Sequence, residues 1–261
     1  MDISLNPALS LSGFVVGLLV GLTGVGGGSL MTPLLVLLIG VAPATAVGTD
    51  LLYASLTKMA GAWAHGRRGN IEWRICGWLA LGSLPAACAT LFVLSRLKVD
   101  ANHYQVVLKQ CLAVALVLSA IALILKDRLH AIALRRSAGT SHVPTSPVAT
   151  VLTGAIVGAL VTATSVGAGA LGVSALLFLY PGLAATRIVG SDIAHAVPLT
   201  LIAGLGHASQ GSVDLHLLGN LLIGSLPGVY IGSQLSRALP ERILRFLLAA
   251  VLLLVATRLV A

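Results

Sequence analysis

Three observations predict an all-α polytopic integral membrane protein: few charges, two long uncharged runs, and one residue skeleton that occurs twice. Only 9% of the 261 residues are charged and the mean hydropathy is +1.00, against roughly 25% charged residues in a soluble domain. Residues 3–49 and 137–186 contain no Asp, Glu, Lys or Arg, and each run exceeds the ~20 apolar residues that span hydrocarbon. Unpaired backbone is costly in lipid, so the crossings are expected to be helices. The Ala-, Leu- and Gly-rich segments show no strand-like alternation.

The repeated skeleton organises the chain. Gly13, Gly17, Thr23, Val25, Gly26 and Gly28 recur 141 residues later as Gly154, Gly158, Thr164, Val166, Gly167 and Gly169. At a spacing of 142, Gly48, Asp50, His65, Gly69 and Gly82-Ser83-Leu84-Pro85 return as Gly190, Asp192, His207, Gly211 and Gly224-Ser225-Leu226-Pro227. Asp, His and Pro at one shared spacing indicate duplication, and duplicated transporters place their substrate site between the copies. Repeat one covers 10–126 and repeat two 148–260. Between them, 127–147 is a polar linker carrying Asp127, Arg128, His130, Arg135, Arg136, Pro144 and Pro147.

Each repeat opens with a glycine-interrupted segment, 11–41 or 151–180. Three ordinary helices follow, near 45–65, 74–95 and 104–126 in the first copy. In the second they fall near 185–207, 216–236 and 242–260, for about eight to ten membrane segments in all. As one helix, 30 residues would reach about 45 Å, beyond a ~30 Å hydrocarbon core. The breaks at Thr23–Gly28 and Thr164–Gly169 favour unwinding, because glycine admits positive φ and weakens a helix. Each opening segment therefore reads as a hairpin of two half-helices.

Charge placement then orients the repeats. With hairpins the copies are inverted, and eleven Lys and Arg residues fall on the cytoplasmic side, linker included, against four on the other. With single crossings the copies are parallel and the split is eight to seven. The positive-inside rule selects the inverted arrangement. Pro85 and Pro227 are expected to kink matching helices.

The sequence resembles the TauE/SafE-type sulfite exporter family of bacterial and archaeal membrane proteins. The resemblance is carried by Gly13-x-x-x-Gly17 leading into Gly24-Val25-Gly26-Gly27-Gly28, then by Ala46-Val47-Gly48-Thr49-Asp50. The polar turn His65–Ile71 and Gly82-Ser83-Leu84-Pro85 extend it, with weaker echoes in repeat two. It spans essentially the whole chain. It implies export of sulfite, organosulfonates or related small sulfur-containing anions. The second glycine motif is eroded, with Ala168 and Ala170 where copy one has Gly27 and Ser29, so the halves need not contribute equally.

Individual residues carry competing readings. Unwound backbone at Gly24, Gly26, Gly27, Gly28, Gly167 and Gly169 could offer N–H groups to an anion, with hydroxyls from Thr23, Ser29, Thr164 and Ser165. Close helix packing is the alternative, and it is the reading for Gly13/Gly17 and Gly154/Gly158. Asp50 and Asp192 are candidates for proton exchange, because intramembrane carboxylates are expensive. They could instead act as structural or helix-dipole groups near helix starts. His65 and His207 read as interfacial caps at helix ends, with titration as the alternative. His195 shares a face with Asp192. Lys58, inside a crossing, either counters an anion or snorkels to the interface.

Several classes are set aside. The net charge of +8 sits at helix ends, not in a nucleic-acid patch. Cys76, Cys88 and Cys111 have no metal spacing and read as inert core thiols. Asp192-x-x-His195 lacks a third ligand, and neither metal nor cofactor is expected. No H-E-x-x-H, G-x-S-x-G or paired catalytic carboxylates mark an enzyme. No basic leader precedes the first apolar run, so the N-terminus is expected to be retained. The expectation is a multi-pass inner-membrane permease exporting a small anion by alternating access, with proton coupling and a homodimer left open. The alternatives are an anion channel, or a permease for a carboxylate or metal cation.

Overall fold

The computed structural model describes residues 7–23, 30–97, 101–137, 146–235 and 241–260. These residues form ten helices and no strand. The first five are α1 (Pro7–Thr23), α2 (Met31–Leu38), α3 (Pro43–Arg67), α4 (Trp73–Leu97) and α5 (Ala101–Ser137). The second five are α6 (Pro147–Thr164), α7 (Ala170–Leu179), α8 (Ala185–Ser209), α9 (Leu215–Leu235) and α10 (Glu241–Val260). In the second half α6 and α7 flank a non-helical break at 165–169, as the glycine density predicts, while the corresponding stretch of the first half, 24–29, lies outside the described residues.

Among the described residues, five helices are long and apolar enough to cross a bilayer. Large apolar side chains crowd the outer surface, with Leu81, Phe92, Leu226 and Leu254 each at least 60% exposed. In water such patches would drive association, whereas in a bilayer they meet acyl chains. The chain is a multi-pass integral membrane protein.

The two halves are interwoven. α1 packs along α9 and α4 along α6, so the first helix of each half pairs with the fourth of the other. Gly13 and Gly17 lie against the backbone of Leu221 and Ser225, and Gly154 and Gly158 lie likewise against Leu79 and Ser83. A Cβ at any of these glycines would overlap backbone atoms. They are small because two backbones nearly touch there. Both pairs run parallel, since rising residue numbers meet rising residue numbers.

The equivalent helices α3 and α8 cross antiparallel. Gly48 lies against His207, Leu52 against Gly204, Gly61 against Ile193 and His65 against Gly190. The loops obey the same exchange: the Glu72 amide donates to Ser191 Oγ at 2.8 Å, and the Asp214 amide donates to Thr49 Oγ1 at 3.0 Å. In the second half, α6 and α7 fold back on each other. The hydroxyls of Thr150, at the start of α6, and Tyr180, just past α7, are 2.6 Å apart.

One boundary differs from the sequence reading. The stretch 127–137 continues α5 as helix, making it 37 residues long. At 1.5 Å per residue that is about 55 Å, so the helix outruns a ~30 Å core. The cause is local: 126–136 is Lys, Arg, Leu and Ala in large part, all strong helix formers whatever the solvent. The polar linker thus begins as helix, and Ser146 caps α6 by accepting from the Ala149 amide at 3.3 Å, with Pro147 as the first helical residue. Cys76 is buried as expected, but Cys88 is exposed on the outer face of α4 and Cys111 is intermediate.

Candidate functional site

In the first half, α2 starts with an orphaned turn of amides, and Leu30 at its N-cap has no side-chain acceptor to offer. Asp50, fully buried on α3, fills the gap. Its Oδ2 accepts from the Thr32 amide at 3.1 Å and from Thr32 Oγ1 at 2.6 Å. The carboxylate thus caps a half-helix from outside, where the positive end of the dipole favours an anion. Asp50 Oδ1 has no hydrogen-bond partner among the described residues. The Ser165 hydroxyl faces the same carboxylate without closing a hydrogen bond, and is itself buried and unpartnered.

Ser165 opens the break of the second half. It is the sole described non-glycine residue with positive φ, at 58°, and its amide donates to the Val161 carbonyl at 2.7 Å. Gly167 at φ 109° and Gly169 at φ 129° carry the chain on to α7, conformations that glycine adopts without steric penalty. Thr164 is spent locally. Its hydroxyl donates to the Leu160 carbonyl at 2.6 Å and accepts the Val166 amide at 3.1 Å.

The next four amides behave differently. Those of Gly167, Ala168, Gly169 and Ala170 close no hydrogen bond among the described residues, although Ala168 and Ala170 are only 5% and 3% exposed. Buried N–H groups are almost always paired. A run of unpaired ones at the start of a ten-residue half-helix is an arrangement suited to an anion.

Break two runs along α3. Ser165 faces Asp50, and three residues on, the Ala168 carbonyl accepts from Lys58 Nζ at 3.0 Å. Lys58 is 6% exposed, so it does not snorkel. Asp192, 2% exposed on α8, lies with Oδ1 against Gly172 of α7. Any side chain at Gly172 would collide with that carboxylate.

His195 finds its partner on another helix. Its Nε2 lies 2.7 Å from Ser83 Oγ on α4. The equivalent positions are Tyr53 and Ser225, and the Tyr53 hydroxyl faces Ser225 without closing a hydrogen bond. Among the described residues no three His, Cys, Asp or Glu side chains cluster as metal ligands would.

The remaining predicted residues are spread out. His207 is fully buried, with Nε2 2.9 Å from the Thr162 carbonyl. His65 is half-buried and lies against Gly190. Through the antiparallel crossing, each histidine sits beside the helix start that carries the other half's aspartate. α1 ends at Thr23, while Gly24, Gly26, Gly27, Gly28 and Ser29 fall outside the described residues.

Sequence reasoning missed Thr32 as the partner of Asp50, Ser83 as the partner of His195, and the facing pair Tyr53 and Ser225. The repeat held a signal for three of them, since a spacing of 142 maps Tyr53 onto His195 and Ser83 onto Ser225.

Residues 9–259 match the sequence profile of the family described as "Sulfite exporter TauE/SafE". A "Probable membrane transporter protein YjnA" of Bacillus subtilis (strain 168) is 40% identical over 256 residues, covering 98% of this chain and 100% of that protein. A second from the same organism, "Probable membrane transporter protein YdhB", is 30% identical over 89% of this chain and 91% of its own. A "Probable membrane transporter protein" of Xylella fastidiosa (strain Temecula1 / ATCC 700964) is 30% identical over 87% and 84%. No solved structure matches.

Proposed function

As the chain belongs to the TauE/SafE sulfite exporter family and is a membrane transporter, we propose that its cargo is a small sulfur-containing anion, sulfite or an organosulfonate. The anion is carried outward across the inner membrane by alternating access, and it sits at the glycine breaks. The four buried amides of Gly167–Ala170, which close no hydrogen bond among the described residues, carry this reading. They offer donors without placing a full positive charge in lipid, and the nearby Lys58 ammonium adds positive potential.

The proposal includes inverted repeats. Antiparallel α3 and α8, the exchanged pairs α1–α9 and α4–α6, and the fold-back of α7 onto α6 all support that topology. It also assigns any proton coupling to Asp192. Asp50 is committed to capping α2, whereas Asp192 closes no hydrogen bond among the described residues.

Counterflow in proteoliposomes tests the cargo, with sulfite, thiosulfate, sulfate, taurine and sulfoacetate set against carboxylate controls. Saturable exchange of at least one sulfur anion is expected, and exchange of none sinks the reading. Gly167→Leu should abolish that exchange while the protein still inserts, because it places a side chain at φ 109° and 3.0 Å from the Leu171 side chain. Flux that never saturates would favour a channel.

A further inference from the structure

α5 and α10 leave a groove open on the outer surface of the bundle. It has a volume of about 620 Å³ and is walled by Val114, Val117 and Leu118 of α5 and by Leu253 and Ala256 of α10. Thr257 contributes the one hydroxyl of the lining, and that hydroxyl is spent on the Leu254 carbonyl, 2.8 Å away. The wall therefore offers dispersion contacts and asks for no hydrogen bond. In a bilayer such a recess is filled by an acyl chain, because an empty one forfeits contacts along its whole lining.

Two cations stand at one end of the groove. Lys109 precedes the lining residue Ala113 by one helical turn, and Arg258 directly follows Thr257. Both are exposed, and neither closes an ion pair or hydrogen bond among the described residues. They share that end because the two helices run antiparallel. α5 starts beside the start of α3, where the Ala44 amide donates to Gln105 Oε1 at 3.5 Å. α9 starts at this level too, since the Asp214 amide just before it donates to Thr49 Oγ1. The six peptide steps from Leu235 to Glu241 reach at most about 22 Å. That is too short to recross a ~30 Å core, so α10 begins at the far end and runs back. Asp127 and Glu241, the acidic residues of α5 and α10, both lie toward that far end.

We propose that this groove is a binding site for one anionic phospholipid, with an acyl chain lying along α5 and α10 and the headgroup phosphate held by Lys109 and Arg258. Each Lys or Arg near the membrane surface strengthens the attraction to an anionic lipid, so two of them favour phosphatidylglycerol over phosphatidylcholine by roughly thirtyfold. A second copy of the chain suits the groove poorly. A membrane dimer closes about an axis along the bilayer normal, so residues at one depth meet their own copies. Lys109 and Arg258 would then face Lys109 and Arg258, with no carboxylate of either helix at that level. The lipid instead brings the missing negative charge. The site faces the bilayer, away from the glycine breaks, and is independent of which solute is transported.

Native mass spectrometry of the purified, detergent-solubilised protein tests it, with phosphatidylglycerol and phosphatidylcholine offered in equal amounts. The first lipid retained should be phosphatidylglycerol, by roughly thirtyfold. Lys109→Gln combined with Arg258→Gln should bring the two lipids to parity. Val117→Phe fills the groove from an exposed position and should remove the first adduct of either lipid. All three positions are exposed, so these variants keep the core. Lipid carried through purification counts in the same way, since it gives the same adduct and must respond to the same variants. Glycerol phosphate should not displace the adduct, because a headgroup alone lacks the chain. An even split in the native chain, a preference that survives the double variant, an adduct that survives Val117→Phe, or displacement by glycerol phosphate would each overturn the assignment. So would a dimer that Val117→Phe dissociates, which would put a second copy in the groove. None of these readouts involves anion flux, so the outcome is separable from the fate of the proposed cargo.

Discussion

Asp50 and Asp192 hold the same place in their two halves and face opposite situations. Asp50 is bonded twice to Thr32 at the start of α2. Asp192 stands beside α7 with its oxygen against Gly172 and no hydrogen bond among the described residues. The amides that open α7 are correspondingly unpaired among the described residues. The repeat thus carries two matching carboxylates, and different neighbours give one a capping role and leave the other without a hydrogen bond among the described residues. The difference shows that a repeated motif specifies position, while the partner residue specifies the role.

The scaffold beneath that asymmetry is symmetric, and breaking it should have the largest effect. At Gly82 a side chain would collide with the Val151 carbonyl, and at Gly224 with the Ser10 carbonyl. Gly82→Val and Gly224→Val are each expected to cost about 3 kcal/mol, the upper range of overpacking. Melting in detergent checks this. A large cost at one position and none at the other would show that the exchanged interfaces are not equivalent.

The aspartates come next. Asp50→Asn removes the charge from the Thr32 bonds and should destabilise the protein by about 2 kcal/mol, as for other charged hydrogen bonds. Asp192→Asn should flatten the pH dependence of flux. The reverse pattern, with Asp50→Asn altering the pH profile and Asp192→Asn the stability, would reverse the division of roles.

Smaller effects probe the second tier. His195→Tyr makes the second half copy Tyr53 of the first, and with Ser83→Ala it tests the 2.7 Å contact. Loss of that bond should cost about 1 kcal/mol, with Ser83→Ala alone and the double variant melting alike. Arg187 pairs with Glu72 at 2.7 Å and has no counterpart, because Thr45 stands at the equivalent place. Both side chains are partly exposed, so Arg187→Ala should cost only about 0.5 kcal/mol. That cost should vanish in high salt.

How legible these features were depends on their range along the chain. The twofold glycine pattern could be read directly, and Gly13, Gly17, Gly154 and Gly158 are packing residues as their spacing indicates. Lys58 was visible as an intramembrane cation, but its bond to Ala168 joins residues 110 apart. Ser83 was visible only as part of a repeated Gly-Ser-Leu-Pro. Its approach to His195 follows from α4 packing on α8, across 112 residues. The extension of α5 past Lys126 was missed for another reason: a hydropathy criterion reports where lipid ends, not where a helix ends.

Residue order alone was enough to settle that this chain lives in a bilayer and is helical, and it marked the non-helical break at 165–169. Hydrophobicity, glycine freedom and charge at helix ends act within a few residues, so they can be read along the chain. Which carboxylate caps a helix, where Lys58 finds its acceptor, and which amides close no hydrogen bond among the described residues depended on folding. Those outcomes hinge on the crossing of α3 over α8 and on backbones brought together from opposite halves, and contact between distant segments leaves no short-range trace.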